Sequence, residues 1–181
     1  MKKHNLLLIL VSILMILFIT GCANSKLKKY SKYITKSMND VVSIDINVES
    51  TDQNVLVYKY LRNIKLTDNK AEFQTTISTL SSNFILEDKV SSETVENIDR
   101  SKLNTINLNK ELLDEFTIKS GVLEAKINAN NLSKVLGSNS LEIEGIANLK
   151  ITYEKKKIVK LECDFKTKST KDVIININYN Y

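Results

Sequence analysis

From residue 42 onward the chain alternates apolar and polar residues with a period of two, and this pattern restricts it to a sheet with one buried face. Successive side chains on an extended strand point to opposite sides, so residues i, i+2 and i+4 share a face. Val42, Ile44, Ile46 and Val48 alternate with Ser43, Asp45, Asn47 and Glu49. Thr51 to Asn54 reads as a turn. Leu56, Tyr58, Tyr60, Ile64 and Leu66 then share a face on which Arg62 is the exception. After a second turn at Thr67 to Lys70, Ala71, Phe73, Thr75, Ile77 and Thr79 continue the pattern. The last third is the most regular. Leu141, Ile143, Gly145, Ala147, Leu149, Ile151 and Tyr153 lie on one strand, and Glu154 to Lys157 forms a turn. Val159, Leu161, Cys163 and Phe165 face inward from the next, opposed by Lys160, Glu162, Asp164 and Lys166. Ser169 to Asp172 turns again before Val173, Ile175, Ile177, Tyr179 and Tyr181. Strands of this kind, joined by short polar turns, make an antiparallel meander with one face in water.

The middle of the chain carries a weaker signal. Asn83 to Glu87 could extend the sheet, and Ser91 to Ser101 is polar enough to be a loop. Leu103, Ile106 and Leu108 fit either class. Asn109 is placed to cap a short helix carrying Leu112, Leu113 and Phe116. Leu123, Ala125 and Ile127 return to strand alternation between Gly121 and Ala129. Asn130 to Leu136 reads as a helix stopped by Gly137. Ahead of the first strand, Leu27, Tyr30, Ile34 and Met38 recur at helical spacing among Lys26, Lys28, Lys29, Lys32 and Lys36. This basic amphipathic helix can pack its apolar stripe on the domain, and its lysines suit an anionic headgroup layer. The expected fold is therefore mainly β (α+β): a curved antiparallel sheet or half-barrel of about seven long strands with two or three short helices. With so few covers, the sheet should curl around its apolar face.

The first residues are of a different kind. Met-Lys-Lys-His opens the chain, followed by fourteen residues from Leu6 to Ile19 that are apolar except for Ser12. A helix needs about 20 apolar residues to cross a bilayer, so this run suits a signal peptide and not a membrane span. It ends in Ile19-Thr20-Gly21-Cys22. Those four residues resemble the lipobox of bacterial lipoproteins, an aliphatic residue and two small ones before cysteine. The resemblance implies thioether lipidation of Cys22, cleavage between Gly21 and Cys22, and acylation of the new amine. The products would be a signal peptide at 1–21, an anchor with the basic amphipathic segment at 22–39, and one β-rich domain at 40–181. The mature protein would sit on the extracytoplasmic face of the cell membrane, held by acyl chains such as palmitate.

Processing at that site changes the available chemistry. The formal net charge drops from +5 to +3, because Lys2 and Lys3 leave with no acid. Neither that mild charge nor export suits a nucleic-acid partner. His4 is the only histidine, so a mature chain has no imidazole for acid–base work or metal binding. With Cys22 lipidated, Cys163 has no partner for a disulfide. It lies between Leu161 and Phe165 on the inward face, where a thiol is a small apolar group and not a nucleophile. Glu142 and Glu144 sit opposite the apolar face and read as solvated acids, while Glu111, Asp114 and Glu115 suit a helix start. The Ser/Thr cluster from Thr75 to Ser82 has no accompanying base. No enzyme, no cofactor and no metal site is expected.

The lipobox, the long alternating strands and the final triple meander from Leu141 to Tyr181 together resemble the LolA/LppX-like lipoproteins with a curved half-barrel. That resemblance implies a hydrophobic cavity between sheet and helices, and a lipid or other hydrophobic small molecule as ligand. The candidate lining is Tyr58, Tyr60, Phe73, Leu149, Tyr153, Phe165 and Tyr179, since tyrosines bring a polar tip to an apolar wall. The competing reading is a filled core, with the domain acting as an accessory subunit of a cell-envelope complex whose protein partner the sequence does not name. Replacing Cys22 by Ala should leave an uncleaved precursor that incorporates no labelled palmitate in cells. Normal cleavage and labelling of that variant would remove the lipidation site.

Overall fold

The computed structural model describes residues 24–138 and 143–181, so Gly21, Cys22 and the whole signal segment, with Leu141 and Glu142, lie outside the described residues. Residues 24–37 form helix α1. Nine strands follow: β1 Ser43–Asp52, β2 Val55–Leu66, β3 Lys70–Leu80, β4 Leu86–Glu96, β5 Glu115–Lys119, β6 Val122–Asn128, β7 Ile143–Glu154, β8 Lys157–Thr167 and β9 Asp172–Asn180. Helix α2, Ala129–Leu136, interrupts them between β6 and β7. All nine belong to one antiparallel sheet in the order β4-β3-β2-β1-β9-β8-β7-β6-β5. It is curved and unclosed, with β4 and β5 as its edges. Two meanders, β1 to β4 and β5 to β9, are thus joined where the first strand pairs with the last.

The sheet's twist starts in its turns. Three hairpins have two-residue connections, at Gln53-Asn54, Ser120-Gly121 and Lys155-Lys156, and all six residues have positive φ. This is the primed geometry whose handedness matches twisted strands. Gly121 has no alternative there, because a Cβ would meet the Tyr153 carbonyl oxygen at 2.8 Å. Gly137 ends α2 at φ +66, with its N–H donating to the Ser133 carbonyl. Both stops are legible in the residue types.

The inner face of β6 to β9 carries the core. Leu123, Ile127, Ile151, Ile158 and Leu161 are fully buried. Leu132 and Val135 of α2 pack on them, as do Leu27 and Ile34 of α1, whose five lysines remain exposed, and Met38 just after it. Tyr30 meets the Tyr153 ring edge-on at 4.6 Å. Ser37, at the end of α1, donates to the Tyr33 carbonyl (2.6 Å) and accepts from the Ile158 N–H (3.1 Å), tying the helix to the start of β8. Arg100 extends its guanidinium to the carbonyls of Asn39 (2.8 Å), Val41 (3.0 Å) and Thr67 (3.0 Å), clamping the α1–β1 link against the β2–β3 turn.

Four details differ from the sequence reading. There are nine strands, not about seven. One of the two extra is β4, which includes most of the stretch expected to be a loop at Ser91 to Ser101. It is an edge strand exposed on nearly every residue, so nothing forces alternation upon it. The second is β5. Lys110 to Leu112 make a single 3-10 turn capped by Asn109, and Phe116 lies on a strand instead of the expected helix. Pairing Phe116 and Ile118 with Ala125 and Leu123 buries more than one isolated helical turn could. Third, a register shift at Thr152/Tyr153 puts Ile158 fully inside, not Val159. Fourth, Tyr181 is exposed and not in the core, its ring under the Lys157 ammonium at 4.5 Å and its hydroxyl donating to the Ile158 carbonyl. The ambiguous segment is also resolved: Ile106, Leu108 and Leu113 are buried, so an irregular strand of chain serves as a third cover.

Ser37→Ala removes the acceptor for the buried Ile158 N–H, and an orphaned buried donor costs about 1–3 kcal/mol. Urea denaturation should show that loss as a lower midpoint with an unchanged slope; an unchanged midpoint would mean the helix is not held there.

Candidate functional site

Register places a continuous row of side chains across the inner face of all nine strands. In order it runs Phe116, Ala125, Leu149, Cys163, Ile175, Val48, Tyr60, Ile77 and Lys89. A neighbouring row runs Ile118, Leu123, Ile151, Leu161, Ile177, Ile46, Arg62, Thr75 and Ser91. Burial is not constant along them. Leu149, Ile151, Leu161 and Cys163 are 0–2 % exposed beneath the helices. Past β9 the same rows become half-buried at Ile46, Val48, Tyr60, Arg62 and Ile77, and fully exposed at Lys89 and Ser91. Along these two rows the inner face is therefore closed over β6 to β9 and open toward β4, while at one end of β1 to β3 Ile44, Ile64, Leu66 and Ala71 are buried.

The seven residues proposed to line a cavity fall on this one face but divide between its two regions. Leu149, Tyr153, Phe165 and Tyr179 are buried in the core, and Tyr58, Tyr60 and Phe73 are half-buried toward the open side. Phe73 packs on the buried core. Burial raises the Tyr153 and Tyr179 phenols above the ordinary tyrosine range, with the neighbouring tyrosines adding to it, so both stay neutral donors. Among the described residues the Tyr153 hydroxyl has no hydrogen-bond partner. Tyr58 is shifted upward for the same first reason.

Arg62 breaks the apolar character of the open side. Its guanidinium lies over the Phe73 ring, 4.4 Å from the centroid, and an Nη donates to the Tyr60 hydroxyl at 3.4 Å. Among the described residues its buried Nε has no partner, and no carboxylate lies within 4.0 Å of it. The sequence already isolated this residue as the one polar member of its face; the charge state of its surroundings was not readable there.

The outer face pairs its charges internally. Lys126 meets Glu115 at 3.0 Å, Lys160 meets Glu162 at 2.7 Å, and Asn148 donates to Asp164 at 2.7 Å. Asp45 accepts from Asn63 on one side and Asn180 on the other. A hollow of about 510 Å³ on this face, over β5 to β8, is lined by Glu115, Lys126, Asn148, Glu162 and Asp164 with Thr117, Glu124 and Lys150. Glu144 is exposed, as expected for a surface acid. Among the described residues no group of three or more His, Cys, Asp or Glu side chains could hold a metal, and no helix is long and apolar enough to cross a membrane.

A third feature had no sequence signal. The β3–β4 turn holds Phe84 at φ +58, the left-handed region where glycine is usual, and Phe84 is 83 % exposed. Ile85 next to it, and Val90 further along β4, are also exposed. The turn is fixed by Phe84 N–H to the Ser81 carbonyl and Ser81 N–H to the Ile85 carbonyl.

No family model matches the chain, and no curated protein matches it. Among solved structures it is similar to a redesigned β-barrel, mFAP1, bound to DFHBI. That match covers 78% of this chain and 98% of the barrel at 10% identity, with a TM-score of 0.25. At that score the likeness is too loose to compare sites.

Cys163 is the simplest part of the inner face to probe. Burial first, and the Asp164 charge second, push its thiol up to about 12. Iodoacetamide at pH 8 should leave it unmodified in the folded protein and alkylate it fully in urea, as read by intact mass. Rapid alkylation of the native protein would place it outside the core.

Proposed function

We propose that the chain is a lipoprotein anchored through Cys22 to the extracytoplasmic face of a membrane, and that its sheet binds a lipid or other hydrophobic ligand. The lipobox-like Ile19-Thr20-Gly21-Cys22 supports the anchor. The exposed lysines of α1, two residues beyond Cys22, would lie near the headgroups, where each adds about 1 kcal/mol on an anionic surface. One observation carries the ligand reading: an inner face whose rows continue past their cover, leaving Tyr58, Tyr60 and Ile77 only half-buried. A sheet that only fills its core has no need to extend these apolar rows past their cover. Apolar walls with a few polar tips are the usual lining of a small-molecule site.

The exposed Phe84, Ile85 and Val90 favour a second reading, an accessory subunit that docks a protein partner at the β3–β4 hairpin. Exposed apolar patches of this kind mark interaction sites, and a bulky residue in the left-handed region costs roughly 1–2 kcal/mol that a glycine would avoid.

Full-length lipoprotein purified from its native membrane separates the two. Binding predicts that solvent extraction and mass spectrometry return one apolar species at near one equivalent, and that the protein takes up an apolar dye which this species displaces. Extracts with no such species, together with no dye uptake, would refute it. A photoreactive residue at position 84 that captures one protein in cells would then support the second.

A further inference from the structure

We infer that the open inner face of β2 to β4 selects an anionic amphiphile, with the head group on Arg62 and the apolar chain along Tyr60, Ile77 and Tyr58. The inference deepens the ligand reading above and rests upon it.

A charge on an apolar sheet face is expensive unless something completes it. Arg62 occupies a position where its own register neighbours, Ile46 and Thr75, offer no carboxylate. Phe73 holds the guanidinium plane from one side at 4.4 Å, and Phe73 is itself anchored on the buried core. The one hydrogen bond to a described residue is the long one to Tyr60, at 3.4 Å. The guanidinium is thus held over the ring while, among the described residues, its buried Nε stays unpaired. A planar fork held in this way matches the two oxygens of a carboxylate or a phosphodiester better than a lysine ammonium would.

What lies beside it suits an acyl chain. On the same face, two residues along each strand, Tyr60 pairs with Ile77, and a further two residues along, Tyr58 pairs with Thr79. At about 3.3 Å per residue that strip is roughly 13 Å long. On the other face Lys59, Lys126 and Lys160 are paired with Glu49, Glu115 and Glu162, and Lys65, Lys119 and Lys150 are exposed to solvent. On the inner face the β4 edge adds Lys89 opposite Ile77, Glu87 opposite Thr79 and Glu93 opposite Phe73, a net charge of −1 on exposed side chains, so among the described residues Arg62 is the half-buried cation of this face.

The test uses the full lipidated chain in nanodiscs of zwitterionic lipid, with three diazirine probes of equal chain length: a fatty carboxylate, a phosphatidylglycerol and a fatty alcohol. Peptides of β2 to β4 should be labelled at least tenfold more by one or both anionic probes than by the alcohol, and the stronger of the two identifies the head group. Arg62→Gln should abolish that preference while leaving alcohol labelling in place. Arg62→Lys, which keeps the charge, should retain part of it and guards against loss of fold. Equal labelling by all three probes, or a preference that survives Arg62→Gln, would overturn the charge selection and leave ligand binding standing. Absence of labelling by every probe would overturn both.

Discussion

The pairing of β1 with β9 is the constraint on which the rest of the structure depends. Nine successive residue pairs, from Ser43 with Asn180 to Thr51 with Asp172, join the beginning of the sheet to its end. Asn180 reinforces the seam by donating to both Ser43 and Asp45, and the Val42 N–H reaches the Asn180 carbonyl. Without this seam the molecule would be two meanders, and the β1 to β4 half alone would have almost no core. With it, that half borrows the core of the other. Because α1 leads directly into β1, the same pairing also sets the helix over the β7–β8 end, where Ser37 meets Ile158.

The seam explains why burial is uneven. Three covers, α1, α2 and the irregular segment through Ile106 and Leu108, all lie over the C-terminal meander and its junction with β1. Their apolar side chains close β6 to β9 and one end of β1 to β3, where Ile44, Ile64, Leu66 and Ala71 are buried. Toward the other end of β2 and β3 the rows of inner side chains persist but the cover does not. Strand pairing propagates a face across any number of strands, whereas a short helix shields only a few of them. The open strip at Tyr58, Tyr60 and Ile77 is a direct result.

The two faces then divide the chemistry. The outer face resolves many of its charges and amides internally, through Lys–Glu pairs and the bridging carboxylates of Asp45 and Asp164. The inner face carries one half-buried cation, Arg62, stacked on Phe73 among apolar and hydroxyl groups. That contrast ties the proposed ligand to the inner side, and the membrane anchor proposed at Cys22 would keep such a ligand's source close by.

Much of this was legible in residue order. Period-two alternation identified β1 to β3 and β7 to β9, Gly137 marked the end of α2, and the Leu27, Ile34, Met38 stripe marked α1. Alternation failed at β4 because an edge strand with neither face buried has no reason to alternate, and at β5 because five residues are too few to outweigh a plausible cap at Asn109. Local rules also missed the shift that seats Ile158 inside, since a bulge moves a register without changing composition. Arg100 looked like loop surface, yet three backbone carbonyls from distant segments converge on it. By itself the sequence determined the class of fold, the inward identity of Cys163 and the isolation of Arg62 on its face, because each follows from side-chain periodicity along one strand. Only the tertiary structure decided that β1 meets β9, that the covers reach only one end of β2 and β3 and that Arg62 lies where burial is incomplete. Those outcomes depend on long-range pairing and on the finite reach of three covers, which no local pattern encodes.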